Sequence, residues 1–269
     1  MLAQQRQSII LDEIRRLGAL RVSDLVDMLG VSDMTVRRDL DTLARQGMLE
    51  KVHGGATAIA DPSTSEPAFA EKSLRERAEK EAIAREAARL VRPGAAIGLS
   101  AGSTTWMLAH HLRGISDLTV VTNSIPVSDV FHESGHAGQT VVLTGGIRTP
   151  SNALVGPTAV GALRSLHLDT VFMGVYGMDE HSGFTTPNLM EAETQQALVA
   201  AARRLVIVAD HTKWGMIGIR TFARLTDAYA LVTDDGLGED ARRSLREHVG
   251  ELVEAPAADP MRPGAEVGA

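Results

Sequence analysis

Apolar residues recur at helical spacing in three short stretches near the start of the chain. Ile10, Ile14 and Leu17 form one stripe, Leu25, Val26 and Leu29 a second, and Val36, Leu40 and Leu43 a third. Ser23 is placed to cap the second helix. Gly30 suits the left-handed turn that follows, Ser32 caps the third helix, and Gly47 ends it. Met48 to Val52 with His53-Gly54-Gly55 then reads as a hairpin. Helices, turn and wing in this order predict a winged helix-turn-helix, which makes double-stranded operator DNA the first partner to consider. Ser32, Asp33, Met34, Thr35, Arg37 and Arg38 fall at the start of the third helix, mostly off its apolar stripe, where a recognition helix meets the major groove. Arg37 and Arg38 suit phosphate contacts or bidentate guanine readout, and Thr35 can reach a base or a phosphate. Lys51 and His53 would approach the DNA backbone from the wing.

The pattern changes after residue 57. Thr57 to Pro67 mixes Ala, Asp, Pro, Ser and Thr and reads as a linker, followed by one long helix from Phe69 to Val91. Short apolar runs then alternate with helical stretches: Ala96 to Leu99, Leu118 to Val121, Thr140 to Leu143, Thr170 to Met173, Leu205 to Val208 and Tyr229 to Val232. That alternation predicts an α/β fold with a mostly parallel sheet. The expected organisation is a DNA-binding domain at 1–57, a linker at 58–72, an α/β domain at 73–254 and a disordered tail at 255–269.

Charge refines the picture. Residues 1–60 hold eight basic and eight acidic residues, so the whole net charge of −7 lies beyond them. A neutral reading head on an acidic body argues against nonspecific coating of nucleic acid. One copy of such a head gains few phosphate contacts, so a homo-oligomer, dimer or tetramer, is expected. The absence of cysteine excludes disulfides and thiolate chemistry. No apolar stretch reaches transmembrane length and no signal-peptide core opens the chain, so the expectation is a soluble cytoplasmic protein without a membrane partner.

Ligands gather at the carboxyl ends of strands in parallel sheets, and several suggestive loops fall there. Ser100-Ala101-Gly102-Ser103-Thr104-Thr105 follows the first run and opens a helix, which suits an anion cradle of hydroxyls and free amides. Thr122-Asn123-Ser124, Thr144-Gly145-Gly146, Gly174 to Asp179 and Ala209-Asp210-His211-Thr212-Lys213 end the next four. Lys213 can supply the point charge that a phosphate needs. Each loop alone is an ordinary strand end; together they favour a phosphorylated small molecule. No phosphate-binding Gly-x-x-x-x-Gly-Lys-Ser/Thr loop or strand-linked Gly-x-Gly-x-x-Gly is present. His132-Glu133-Ser134-Gly135-His136 matches the zinc-peptidase pattern, but Gly135 breaks the helix that this chemistry requires. His110-His111 reads as a solvated helix end and Trp106 and Trp214 as packing residues. No metal, cofactor or catalytic residue is assigned.

Taken together, these residues resemble the DeoR family of transcriptional regulators over nearly the whole chain. The N-terminal signature is Val31-Ser32, Thr35-Val36-Arg37-Arg38-Asp39-Leu40, Leu43, Gly47 and His53-Gly54-Gly55-Ala56. Further on come Lys80, Gly102-Ser103-Thr104-Thr105, Val121-Thr122-Asn123-Ser124, Gly145-Gly146 and Ala209-Asp210-His211-Thr212-Lys213-Trp214-Gly215. The resemblance implies a sensor that shares its fold with sugar-phosphate isomerases, and a repressor of a carbohydrate operon released by a phosphorylated sugar. It implies phosphate on Ser103, Thr104 and Thr105, with Asn123, Gly146, Asp179, Glu191 and Lys213 lining the sugar end. Lys80, Ser100 and Gly102 complete the implied effector site. Two departures stand out: Ser100 and Tyr176 occupy positions where an acidic residue resembles the family or isomerase pattern. An isomerase-like enzyme with a DNA-binding head, and a constitutive DNA-binding protein with a vestigial pocket, are the alternatives.

Overall fold

Three helices and three short strands form the N-terminal unit: α1 (Ala3–Leu17), β1 (Ala19–Arg21), α2 (Val22–Leu29), α3 (Asp33–Arg45), β2 (Glu50–Val52) and β3 (Gly55–Thr57). The computed structural model describes residues 2–17, 19–46, 48–52, 54–57, 64, 68–134 and 138–256. It divides the chain into two units, Met1–Pro62 and Ser63–Ala269. The apolar stripes converge on a core of Ile10, Ile14, Leu25, Leu29, Val36, Leu40, Leu43 and Leu49. Gly30 takes φ 64° between α2 and α3, a conformation that costs other residues a Cβ clash. β1, β3 and β2 pair antiparallel, which builds the expected wing. Ser23 does not cap α2: the chain passes directly from β1 into the helix with Arg21 at the cap, and the Ser23 hydroxyl donates to Asp24 instead. Ser32 does cap α3, accepting from the Thr35 amide at 3.3 Å. Gly47, the expected end of α3, lies outside the described residues.

The second unit contains α4 (Phe69–Leu74), α5 (Arg77–Ala88), β4 (Ala96–Leu99), α6 (Ser103–Leu112), β5 (Thr119–Thr122), α7 (Ile125–Ser134) and β6 (Thr140–Leu143). Then follow β7 (Ile147–Arg148), β8 (Leu154–Val155), α8 (Pro157–Leu163), β9 (Thr170–Met173), β10 (Gly177–Asp179), β11 (Gly183–Thr186) and α9 (Leu189–Ala200). The last elements are β12 (Leu205–Val208), β13 (Arg220–Ala223), β14 (Ala230–Asp234), α10 (Glu239–His248) and β15 (Leu252–Ala255). Seven strands form one sheet in the order β15-β14-β12-β9-β4-β5-β6, every neighbouring pair parallel. Alternate residues divide between its faces. Leu99, Val120, Phe172 and Val232 pack with Ile83 of α5, Leu108 of α6 and Val127 of α7. Val121, Val171, Ile207 and Leu231 pack with Leu163 of α8, Leu198 of α9 and Leu245 of α10. Strands run outward in both directions from the β9–β4 junction, so the topological switch point lies there, the preferred position for a ligand in an open α/β sheet.

The structure corrects four expectations. The long helix from Phe69 to Val91 breaks at Arg75-Glu76, where Glu76 adopts φ 45°. α4 therefore occupies the last residues of the expected linker, and Phe69 stacks edge-on against Trp106 at 5.8 Å. A seventh parallel strand, β15, extends to Ala255, which is buried, so the expected tail begins one residue too early. Two antiparallel additions, β10-β11-β13 and β7-β8, sit beside the main sheet.

Candidate functional site

The first candidate is the exposed face of α3. Its apolar side is buried, leaving Asp33, Met34, Arg37 and Arg38 exposed and Thr35 half-buried. Met34 is 69% exposed. Arg37 and Asp33, one turn apart, form a bidentate pair at 2.5 and 3.2 Å. The arginine holds the Asp33 carboxyl below its usual range. Ser32 and Thr35 share a hydroxyl contact at 2.9 Å. Lys51 reaches from β2 to Asp41 on α3, and Arg38 and Arg45 flank a surface groove with that aspartate. His53 lies outside the described residues. Behind the face, Asp39 is buried and takes Arg6 Nε at 2.5 Å and Gln7 Nε2 at 3.0 Å. Asp39 thereby fixes α3 against α1. Its signal in the sequence is a carboxylate on the apolar side of α3, between Val36 and Leu40.

The second candidate lies at the carboxyl end of the sheet. Ser100 bridges the switch point: its Oγ accepts from the Gly174 amide at 3.2 Å, and its amide donates to the Phe172 carbonyl. α6 begins beside it with Gly102 at the N-cap. Helix geometry leaves the first amides without intrahelical partners. The hydroxyls of Ser103 and Thr104 make no hydrogen bond among the described residues. Thr105 turns back, donating to the carbonyls of Ser100 at 2.7 Å and Gly102 at 3.0 Å. Of the three hydroxyls expected to hold phosphate, two remain available and one braces the loop.

Across β9, at the end of β12, Asp210 is fully buried beside Lys80 of α5, with 4.0 Å between Nζ and Oδ2. Lys80 Nζ also donates to the carbonyls of Lys72 at 2.9 Å and Arg75 at 2.5 Å, which the kink at Glu76 brings together. Burial pushes the Lys80 pKa down, and Asp210 pulls against that shift. Asp210 also caps the 3₁₀ turn His211–Lys213, which carries half-buried Lys213. His211 Nδ1 meets Asp234 Oδ2 at 2.7 Å, a bond that raises the histidine pKa. Burial pushes Asp234 upward, but hydrogen bonds from His211 and Gly236 outweigh it and leave the carboxyl below its usual range.

Other expected contacts are taken up inside the protein. Asn123 Oδ1 accepts from the Ala101 amide at 2.9 Å and its Nδ2 donates to the Leu154 carbonyl at 3.2 Å. Gly146, at φ 121°, has no room for a Cβ, which would stand 2.5 Å from the Val155 carbonyl oxygen. Asp179 accepts from the amides of His181 and Ser182 in the β10–β11 turn. Glu191 is caged by Thr149 and Ser151 at 3.0 and 2.5 Å and by Thr186 at 3.4 Å. Sequence reasoning missed Thr149 and Ser151, which lie 42 and 40 residues before it.

The remaining histidine motifs behave differently from one another. His132 and Glu133 are exposed near the end of α7, while Gly135 and His136 lie outside the described residues. The pair at 110–111 is not a solvated helix end. His110 packs edge-on against Trp106 at 4.8 Å, and burial lowers its pKa. His111 Nε2 meets Glu81 at 2.8 Å. Trp214 packs against the apolar cluster of the second face.

Two family models match the chain. One, described as a DeoR-like helix-turn-helix domain, covers residues 6–61, and the other, described as the DeoR C terminal sensor domain, covers residues 75–235. The uncharacterized HTH-type transcriptional regulator YulB of Bacillus subtilis is 33% identical over 95% of this chain and 98% of its own length. YgbI of Escherichia coli, also an uncharacterized HTH-type transcriptional regulator, is 35% identical over 91% of this chain and 95% of its own. A lactose phosphotransferase system repressor of Staphylococcus aureus is 36% identical over 83% and 90%. Among solved structures, ribose 5-phosphate isomerase A from Neisseria gonorrhoeae overlaps 50% of this chain and 52% of its own, at 16% identity and a TM-score of 0.38, too distant to carry an argument.

Proposed function

Because the chain belongs to the DeoR family of helix-turn-helix transcriptional regulators, we propose that it represses a carbohydrate-metabolism operon and is released by a phosphorylated sugar. In this reading Arg37 and Arg38 carry base or phosphate contacts, with Ser32, Asp33, Met34 and Thr35 beside them and Lys51 and His53 on the wing. The observation that carries the effector half is the start of α6 at the switch point. There the hydroxyls of Ser103 and Thr104, unbonded among the described residues, stand beside helix-terminal amides, a natural seat for an anion. Lys213 on the β12 loop supplies the point charge, while Lys80, its ammonium taken by the Lys72 and Arg75 carbonyls beside Asp210, braces that end of the sheet. A lactose phosphotransferase system repressor among the relatives supports sugar uptake as the regulated process.

Binding without turnover is the reading that the polar groups favour. Isomerisation needs a base free to move a proton between adjacent carbons. Glu191 is instead held by three hydroxyls, Asp179 is held in a turn, and Tyr176 stands where the isomerase pattern has an acid.

Fluorescence anisotropy of the full chain on DNA from upstream of its own gene, titrated with a panel of sugar phosphates, tests this reading. One compound should release the protein, and operator DNA should weaken that compound's binding by the same factor. Lys213→Ala should keep operator affinity and blunt release. Unchanged release in this variant would remove Lys213 from the site, and release by no compound would overturn the effector assignment.

A further inference from the structure

The seven-stranded sheet has two edges, and they are built differently. On β15, Glu254 takes Arg242 Nε at 3.0 Å and Arg246 Nη2 at 2.6 Å, and exposed Glu251 precedes the strand. Charge of this kind blocks pairing with another chain. β6 lacks it. From Gln139 to Ile147 the chain reads Gln-Thr-Val-Val-Leu-Thr-Gly-Gly-Ile, with no charge and no proline. Val142 is 38% exposed, Leu143 42% and Ile147 59%.

The backbone of β6 is likewise half used. Among the described residues it pairs with β5 alone. The amides of Thr140 and Thr144 donate to Leu118 and Thr122 at 2.8 and 3.0 Å. Alternation along a strand therefore turns the N–H and C=O groups of Val141 and Leu143 outward.

We propose that β6 is the surface on which two copies of this chain join, antiparallel, about a two-fold axis through Val142. This register uses every outward group. Val141 exchanges both backbone hydrogen bonds with Leu143 of the partner subunit, and Leu143 does so with Val141 of the partner subunit. Val142 then faces Val142 of the partner subunit in the close, non-hydrogen-bonded position, their Cα atoms about 4.5 Å apart. Charge selects the occupant. Beyond residue 60 the chain holds 19 basic and 26 acidic residues, so two copies carry the same net charge. An uncharged edge with apolar side chains is where they meet at least cost. The pairing does not depend on which effector is bound.

The chain has no native cysteine, which gives a direct test. Val142→Cys in the full chain sets two thiols at a separation that a disulfide accepts. Mild oxidation should give a covalent dimer on a non-reducing gel, while Glu251→Cys on the other edge should stay monomeric there. Val142→Lys should remove the dimer in sedimentation equilibrium with circular dichroism unchanged, since the side chain is exposed. A wild-type chain that sediments as a monomer, a dimer that survives Val142→Lys, or equal cross-linking from residue 251 would each overturn the proposal. None of these results touches the operator and effector assignments, which the anisotropy titration decides separately.

Discussion

The face of α3 and the carboxyl end of the sheet use similar residue types under opposite conditions. At this face, Arg37 of α3 and Lys51 of β2 stand in solvent, each paired with an aspartate of α3, Asp33 and Asp41. Exposed pairs of this kind contribute little to stability, so exchanging the aspartate for a phosphate costs little. At the sheet end, Lys80 and Asp210 are almost fully enclosed, and Lys80 is further tied to two carbonyls. A buried charge cannot exchange partners without leaving something unpaired. In the first setting the internal partner is a placeholder; in the second it is part of the frame. Substitutions should therefore separate cleanly, changing affinity at one place and stability at the other.

The sharpest contrast comes from Lys80→Ala. It strands the Asp210 carboxylate and two carbonyls, and should lower stability by about 3–5 kcal/mol. Urea unfolding followed by tryptophan fluorescence reads this directly, because both tryptophans, Trp106 and Trp214, belong to the sheet unit. A loss below about 1 kcal/mol would mean that the pair is a placeholder after all.

Arg37→Ala should do the reverse. Unfolding should not change, while operator affinity falls roughly five- to 150-fold if the arginine reads a base edge. An equal loss on every sequence would assign it to a phosphate instead.

His211 and Asp234 lie between these extremes, half-buried and buried respectively. The histidine pKa is raised above its ordinary 6.5. Its contribution is therefore fully present below 6.5 and lost as pH rises through the raised value, a change of about 1 kcal/mol or less given its exposure. Asp234 has a depressed pKa, so its own contribution is present above 3.8 and lost only at lower pH. Comparing wild type with His211→Gln across pH 6 to 8 isolates the histidine. Parallel stability curves would rule out the coupling.

Much of this was legible in the sequence because the signals are local. Gly30, the Ser32 cap and the i, i+4 stripes on α3 act within a few residues, so the helix-turn-helix could be read without knowledge of the rest. The strands of the sheet centre carry unbroken apolar runs because both faces are covered. β15 was missed because Glu254 interrupts its run, and β13 because it begins with exposed Arg220 and Thr221. Site roles were harder. Asn123 has the chemistry of a ligand contact, but its partners, Ala101 and Leu154, lie 22 and 31 residues away and take both ends of the amide. The cage around Glu191 and the enclosure of Lys80 also depend on long-range folding, which no spacing encodes.

The break at Glu76 also decides where the protein can be divided. α4 looks like the trailing end of a linker, yet its Lys72 carbonyl and that of Arg75 just after it hold the lysine that faces Asp210. A fragment cut at the start of α5 would keep every strand of the sheet and lose the lid over its charged end. The sheet unit is whole only when the cut falls ahead of Phe69.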